Sequence, residues 1–195
     1  MKKHLLPVVA LLLLSSCTEV EDFGAYWDKE ALDPAVEGTW KKIGMPGQEL
    51  HNVPGAGELV FVKNGPSYVL QIVDPIDEKV SDDVAQRKKD KGLEVELRTL
   101  KIGRHQFFLA RTGERKPYGF IFRYEIEGNI LREYSLDEWT AAEWVDEKHP
   151  DGKNIHRNGR YLAVKTFDDQ VFRILSEISN DDTFWMVVCE YKKAL

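Results

Sequence analysis

The sequence is poor in cysteine and in long apolar runs. Only two of its 195 residues are cysteine, Cys17 and Cys189, which excludes the disulfide framework typical of many small secreted domains. The one markedly apolar run, residues 5–14, is about half of the roughly 20 residues that a membrane-spanning helix needs. The stability of this chain must therefore come from the burial of apolar side chains.

Motifs that carry catalysis are also missing. The sequence has no Gly-x-Ser-x-Gly, no His-Glu-x-x-His, no phosphate-binding loop and no dinucleotide-binding fingerprint. Its 33 Asp and Glu residues could form acid–base pairs, but a sequence does not distinguish such a pair from a solvated surface. We therefore predict no catalytic residue and no cofactor site.

The densest group of potential metal ligands lies at residues 146–156. It contains Asp146, His149, Asp151 and His156, but their spacing is not that of a known zinc site. The Pro-Asp-Gly sequence within it is typical of a turn. The pattern favours a solvated loop, and we predict no metal site.

The N-terminus has the order of a secretory signal peptide. Two lysines precede the apolar run 5–14, and two serines follow it directly before Cys17. The sequence Leu-Ser-Ser-Cys at 14–17 resembles the lipobox of bacterial lipoproteins. The resemblance implies that residues 1–16 are removed and that fatty acyl chains such as palmitate are attached at Cys17. It also implies a lipid anchor in a bacterial cell envelope, and Thr18 in place of an Asp favours the outer membrane.

Acylation of Cys17 would leave Cys189 without a disulfide partner. Cys189 lies among apolar residues, which favours a small buried side chain over a nucleophile.

The chain that remains after cleavage is acidic. Removal of residues 1–16 takes two of the 27 Lys and Arg residues and none of the 33 Asp and Glu residues, so the net charge of −6 becomes −8. Because an acidic surface repels phosphate backbones, no nucleic-acid partner is expected.

Residues 17–33 are acidic without a steady apolar period, which predicts a flexible tether. Its three aromatic side chains, Phe23, Tyr26 and Trp27, could dock on the domain surface or at the lipid interface. Residues 34–195 then form a single domain.

Most of this domain alternates between apolar and polar residues, the period of half-buried strands. Strands are predicted at residues 36–43, 58–63, 67–74, 93–98, 106–111, 118–127, 130–135, 160–167 and 171–178. Residues 75–91 are highly charged and predict a long exposed loop. A helix over 136–148 is predicted from a capping box that begins at Ser135, and a second helix from apolar residues at helical spacing in 179–193. The fold class is mainly β: an antiparallel barrel or sandwich of about nine strands with two peripheral α-helices.

The clearest local signal is a hairpin around Gly128-Asn129, a favoured two-residue turn. This turn would place Ile126 opposite Leu131 and Glu125 opposite Arg132, an apolar and an oppositely charged pair on alternate faces. Side chains expected to point into the barrel are Leu70, Ile72, Leu97, Phe122, Tyr124, Ile126, Leu162 and Val164; Arg123, Glu125 and Glu127 would point outward.

The opening of the domain, DPAVEGTWKKI at 33–43, resembles the first strand of lipocalin-like (calycin-type) proteins. In that family a Gly-x-Trp places an indole across the closed base of the barrel, which implies this role for Gly38 and Trp40. An arginine usually packs on the indole, and Arg160 or Arg173 could serve here. The order of GLEVELRTLKIGRHQFFLAR (92–111), YGFIFRYEIEGNILREYSLDEW (118–139) and a terminal helix also resembles small bacterial lipoproteins of unknown function.

Two functions have some support from the sequence, whereas nothing specific supports a third, an envelope hydrolase that uses two carboxylates. The first is a non-enzymatic envelope lipoprotein that binds another envelope protein, which suits the anchor and the missing catalytic motifs. The second is a binder of a small apolar ligand in the manner of lipocalins, which requires a cavity inside the barrel. Because the predicted inward side chains are bulky, they favour the first.

Overall fold

The computed structural model describes residues 18–28, 32–44, 57–73, 94–112, 118–158 and 161–194. Within these ranges it contains eleven strands and two α-helices. The strands are β1 (Thr18–Asp22), β2 (Gly38–Gly44), β3 (Glu58–Asn64), β4 (Ser67–Val73), β5 (Glu94–Ile102), β6 (His105–Thr112), β7 (Tyr118–Glu127), β8 (Ile130–Leu136), β9 (Ile155–Asn158), β10 (Tyr161–Thr166) and β11 (Trp185–Lys193). The helices are α1 (Glu138–Lys148) and α2 (Asp169–Ser179), and three short 3₁₀ helices lie at Gly24–Asp28, Pro34–Val36 and Asp182–Phe184.

Eight of the strands close an antiparallel barrel. The strands β2 to β8 follow one another around the wall, β11 comes next, and β11 pairs back with β2. The predicted mainly β fold with two α-helices is confirmed, and the alternative of a barrel or a sandwich is resolved as a barrel. Closure leaves none of these eight strands with an unpaired edge.

The predicted β7–β8 hairpin has the expected register. Gly128 adopts a φ of +61° in the turn, a conformation that glycine takes without strain. Ile126 pairs with Leu131, and Glu125 pairs with Arg132. This part of the fold follows from the local sequence alone.

The interior of the barrel is filled with aromatic side chains. Those that are fully buried there are Trp40, Tyr68, Phe108, Tyr124 and Tyr191. The rings of Phe108 and Tyr124 stack with centroids 3.9 Å apart. Large rings in offset contact fill a barrel interior densely.

Most of the side chains predicted to face inward belong to this interior, but two do not. Leu70, Leu97 and Tyr124 lie in the barrel core, and Phe122 and Ile126 pack against it. Leu162 and Val164 lie instead in a second apolar core outside the barrel, because their strand, β10, belongs to an added layer. The side chain of Ile72 lies outside the described part of the chain.

The added layer covers the outer wall of the barrel at β5, β6 and β7. The chain between β8 and β11 supplies α1, β9, β10 and α2, and the strands β1, β10 and β9 extend the sheet from the first half of β7. β1 and β10 are parallel, and their neighbours in this extension are antiparallel. On α2, the buried side chains Val171, Ile174, Leu175 and Ile178 pack into this outer core.

The prediction of a flexible tether over residues 17–33 is wrong for residues 18–28. Strand β1 pairs with β7 on one side and with β10 on the other, and Phe23, Tyr26 and Trp27 are all buried in the outer core. The segment folds because pairing on both edges and three aromatic side chains offset its acidity. Residues 1–17, including the predicted signal peptide and Cys17, lie outside the described residues, as does the predicted loop 75–91.

Two predicted elements near the C-terminus are interchanged. Residues 171–178 form part of helix α2 and not a strand: the Asp168 carboxylate accepts a hydrogen bond from the Val171 amide, and the buried side chains recur at helical spacing. Residues 185–193, predicted as helix, form β11. A helix there would leave the facing edges of β8 and β2 unpaired, so barrel closure overrides the local spacing.

Helix α1 begins at Glu138, two residues after its predicted start at residue 136. Asp137 is the cap, and its carboxylate accepts a hydrogen bond from the Thr140 amide. Ser135 is still in β8, where its buried hydroxyl donates to the Leu136 carbonyl.

Candidate functional site

The predicted barrel-base residues lie at the end of the barrel that carries the tight turns. Trp40 is buried on β2, and its indole N–H donates to the carbonyl of Val36 at 2.7 Å. The cation on its ring is Lys193, whose Nζ lies 5.1 Å from the ring centroid and donates to the Ala35 carbonyl at 3.1 Å. Gly38 begins the strand with a φ of +119°.

Among the described residues, the cation that packs on Trp40 is a lysine from the last strand and not an arginine. Of the two candidates, Arg173 is exposed on helix α2, and Arg160 lies outside the described residues. Lys193 reaches the ring because β11 pairs directly with β2, with Lys193 opposite Trp40. No local signal could select it, because the prediction made this segment helical.

Polar groups complete the closure of this end. The hydroxyl of Tyr124 donates to the Asp33 carboxylate at 2.9 Å, and the hydroxyl of Tyr68 donates to the Asp33 carbonyl at 3.1 Å. Asp33 thus links the chain before the barrel to two interior rings. Together with Trp40 and Lys193, these contacts pack the end of the barrel at which Gly38 lies.

The residues of the potential metal cluster do not converge. His149 Nε2 lies 3.3 Å from a carboxylate oxygen of Glu177, and Asp146 lies 4.0 Å from Arg157. Among the described residues, no group of three or more His, Cys, Asp and Glu side chains could hold a metal ion. Within those same ranges, no helix is long and apolar enough to cross a membrane.

A buried carboxyl group occupies the barrel interior. Glu133 on β8 is buried beside Tyr191, whose hydroxyl donates to it at 3.2 Å. Burial raises the pKa of Glu133 to about 7, although the Tyr191 hydrogen bond and the charge of Lys42 act in the opposite direction. Cys189 is buried nearby, opposite Glu133, and burial also raises the pKa of its thiol. A thiol in this state is a poor nucleophile.

We expect the contribution of Glu133 to the free energy of unfolding to fall as the pH rises from about 4.5 to above 7. The pKa of Glu133 is higher in the folded state than its ordinary value of 4.5, so the folded state binds the proton more tightly and loses this advantage as the pH rises. The shift corresponds to about 3 kcal/mol. Glu133→Gln should remove this part of the pH dependence and stabilise the protein at pH 8, measured by urea denaturation.

Glu138→Gln is the control for that measurement. Burial, followed by the nearby charge of Glu19, also raises the pKa of Glu138 to about 7, so the two variants should remove separate parts of the slope. An unchanged slope between pH 5 and pH 8 in Glu133→Gln would show that this carboxyl is not buried in the folded barrel.

A cleft of about 520 Å³ opens on the outer wall of the barrel. We name it the outer cleft and define it by its lining residues: Arg104, His105, Arg123, Glu125, Tyr134, Asp182 and Trp185. Its floor comes from strands β6, β7 and β8. Its rim comes from the β5–β6 turn and from the chain that leads from α2 into β11.

Arg123 is the central residue of the outer cleft. Its side chain is 4% exposed, and its two terminal nitrogens donate to Glu125 at 2.6 Å and to Asp182 at 3.1 Å. The guanidinium lies 4.4 Å from the ring centroid of Tyr134. Its buried Nε has no hydrogen-bond acceptor among the described residues. A buried arginine with an unsatisfied donor is costly to stability, so it suggests a role other than structural support.

The other charged groups of the outer cleft form a continuous network with Arg123. Arg104 donates from Nε to His105 Nε2 at 3.0 Å, and His105 Nδ1 lies 3.4 Å from Glu125. Burial, followed by the charges of Arg123 and Arg104, lowers the pKa of His105, so the imidazole is neutral at pH 7. Two guanidinium groups are then balanced by the carboxylates of Glu125 and Asp182.

The carboxylate of Glu125 is held ionised within this network. Burial alone would raise its pKa, but hydrogen bonds from Tyr134 and Arg123 outweigh burial and lower it. The Tyr134 hydroxyl donates to Glu125 at 2.6 Å, and burial together with this bond raises the pKa of Tyr134 to about 12. The tyrosine is therefore a fixed donor and not an acid. The outer cleft positions charges and aromatic faces, and the described residues place no activated nucleophile in it.

Sequence reasoning missed the outer cleft. The hairpin pattern correctly assigned Arg123 to the outward face, but nothing in that pattern indicated that its side chain is buried there. The residues that cover it, Asp182 and Trp185, lie about 60 positions further along the chain and in the segment that was predicted as helix. The only local signal is an arginine between aromatic residues in a strand, and this signal is weak.

Comparison of this chain with protein-family models, with curated proteins and with solved structures finds no match. The site is therefore interpreted from its own geometry.

Proposed function

We propose that this protein is a lipid-anchored component of a bacterial envelope, without enzymatic activity, that binds another envelope protein through the outer cleft. The anchor rests on the lipobox-like sequence at 14–17, and Thr18 in place of an Asp favours the outer membrane. The observation that carries the binding proposal is the buried guanidinium group of Arg123. It lies near the rings of Tyr134 and Trp185 in the lining of the outer cleft.

The composition of the outer cleft supports a protein partner. Arginine, tyrosine and tryptophan are the residues most enriched where protein interfaces concentrate their binding energy. All three line this cleft, and the charged network holds Arg123 in one position before binding, which lowers the entropic cost of association.

The chemistry of the network suggests what the partner presents. Asp182 is the more exposed of the two carboxylates, with 66% of its side chain accessible, and it bridges Arg123 and Arg104. A carboxylate of the partner could take its place, because paired guanidinium groups bind carboxylates with good geometry. We therefore expect the bound segment to be acidic.

The alternative, a lipocalin-like site for a small apolar ligand, has less support. The eight-stranded antiparallel barrel and the position of Trp40 suit a lipocalin-like arrangement. However, such a site needs an open interior, and five large aromatic side chains fill the described part of this one.

Photo-crosslinking in intact cells tests the binding proposal. A photoreactive amino acid in place of Thr183, an exposed residue next to Asp182 at the rim, is expected to give a discrete crosslinked adduct with one envelope protein. The matched control is the same substitution at Val62, an exposed position on β3, on the opposite wall of the barrel from β7. Equal adducts from both positions, or none from the cleft, would contradict the proposal.

A further inference from the structure

The first described strand begins directly after the proposed site of lipid attachment. Thr18 is the first residue of β1, is only 2% exposed and pairs with Ile121 of β7. A group attached at residue 17 is one peptide unit, about 3.8 Å between α-carbons, from this strand. A lipid at that position therefore has no flexible segment between it and the sheet.

The register of the sheet shows what lies beside this attachment point. Glu19 pairs with Ala163 in parallel, so Thr18 is level with Leu162, and Leu162 pairs with Arg157 of β9. Adjacent strands are about 4.8 Å apart. Arg157 is thus about 10 Å from Thr18 along the same row.

An exposed tryptophan covers Arg157 at this end of the molecule. Trp139, in the first turn of α1, is 44% exposed, and the Arg157 guanidinium lies 4.7 Å from its ring centroid. The preceding residue, Glu138, is close enough to Glu19 for the two charges to interact. The start of β1, the first turn of α1 and Arg157 therefore form one surface, which we name the anchor face.

We infer that the anchor face rests on the lipid bilayer, with Trp139 in the headgroup layer and Arg157 within reach of phosphate groups. This inference depends on the proposed acylation of Cys17. Without a tether the acyl chains hold β1 at the membrane surface. The nearest large exposed aromatic side chain among the described residues is Trp139, and the amphipathic ring of tryptophan prefers the membrane interface. Attachment then fixes the orientation of the body as well as its location.

Fluorescence quenching on vesicles tests the orientation. The mature acylated protein is reconstituted into phosphatidylcholine vesicles with brominated acyl chains, which quench tryptophans that contact the membrane. We expect quenching in the wild type and the loss of most of it in Trp139→Phe. The matched control is Trp144→Phe on the same helix, since Trp144 packs against the outer core and its removal should leave quenching unchanged.

A second variant separates orientation from attachment. A Gly/Ser insert of about ten residues between Cys17 and Thr18 spans about 18 Å and should abolish the quenching while the protein still sediments with vesicles. If Trp139→Phe is quenched like the wild type and both sediment, the orientation is wrong and the anchor stands. If the wild type does not sediment, the anchor and the orientation both fail.

Discussion

Gly119→Ala is expected to lower the free energy of unfolding by about 3 kcal/mol, the upper range for an overpacked core. Gly119 lies in the part of β7 that pairs with β1, and its partner there is Val20. A β-carbon at Gly119 would lie 2.3 Å from Cε2 of Phe23 and 2.9 Å from the Val20 carbonyl oxygen. Neither group can move freely, because the ring is buried and the carbonyl belongs to the sheet. Urea denaturation of the mature protein measures the change.

Gly65→Ala provides the comparison for this substitution. Gly65 has a φ of +58°, and no neighbouring atom lies within 4 Å of the position that a β-carbon would take, so only backbone strain of about 1 kcal/mol is expected. Phe23→Ala should reduce the additional cost of Gly119→Ala, because the two side chains compete for one space. If Gly119→Ala costs no more than Gly65→Ala, the N-terminal segment does not pack on β7 and the tether prediction would be right after all.

Cys17→Ser is expected to transfer nearly all of the protein from the membrane fraction to the soluble fraction. Each buried methylene contributes roughly 0.8 kcal/mol to membrane binding, and two or more acyl chains make dissociation negligible. Serine cannot carry the thioether-linked lipid, and residue 17 precedes the first described strand, so we expect the fold to be retained. Fractionation of cells followed by a high-salt wash measures the change.

Cys189→Ala is the matched control for Cys17→Ser. It removes the other cysteine, which is buried inside the barrel, and should leave the protein in the membrane fraction. Continued sedimentation of Cys17→Ser with washed membranes would contradict the lipid anchor. Release of both variants would point to misfolding, which circular dichroism of each would detect.

The parts of the fold that were predictable are those that local sequence determines. The β7–β8 hairpin could be read from Gly128-Asn129, because a two-residue turn fixes the register of the strands that it joins. The capping-box pattern also placed the start of α1 to within two residues, although the capping residue is Asp137 and not Ser135. In both cases the decisive contacts lie within a few positions in the chain.

The parts that were missed depend on distant partners. Strand β11 has apolar residues at a spacing that also suits a helix, and only the edges of β8 and β2 decide between them. Strand β1 is acidic and short, and its stability comes from two neighbours that lie about 100 and 140 positions away. Arg123 is buried by Asp182 and Trp185 in the same way, so the outer cleft has only a weak signature in the sequence around Arg123.

The pairing of β1 with β7 and β10, where a flexible tether was predicted, changes the functional interpretation. A flexible stalk would let the body sample any orientation above the membrane, and the outer cleft could then face any partner. With β1 packed from Thr18 onward, the proposed attachment site is one residue away from the folded unit that carries the outer cleft. A fixed orientation would restrict the outer cleft to partners at one height and angle.

Mass spectrometry of the N-terminal peptide, from protein extracted with detergent out of its native membrane, tests the central claim most directly. The account predicts a peptide that begins at Cys17, lacks residues 1–16 and carries the mass of two or three fatty acyl chains. An unmodified thiol at Cys17, or a peptide that retains the residues before it, would contradict the anchor, and with it the envelope location and the orientation inferred from it.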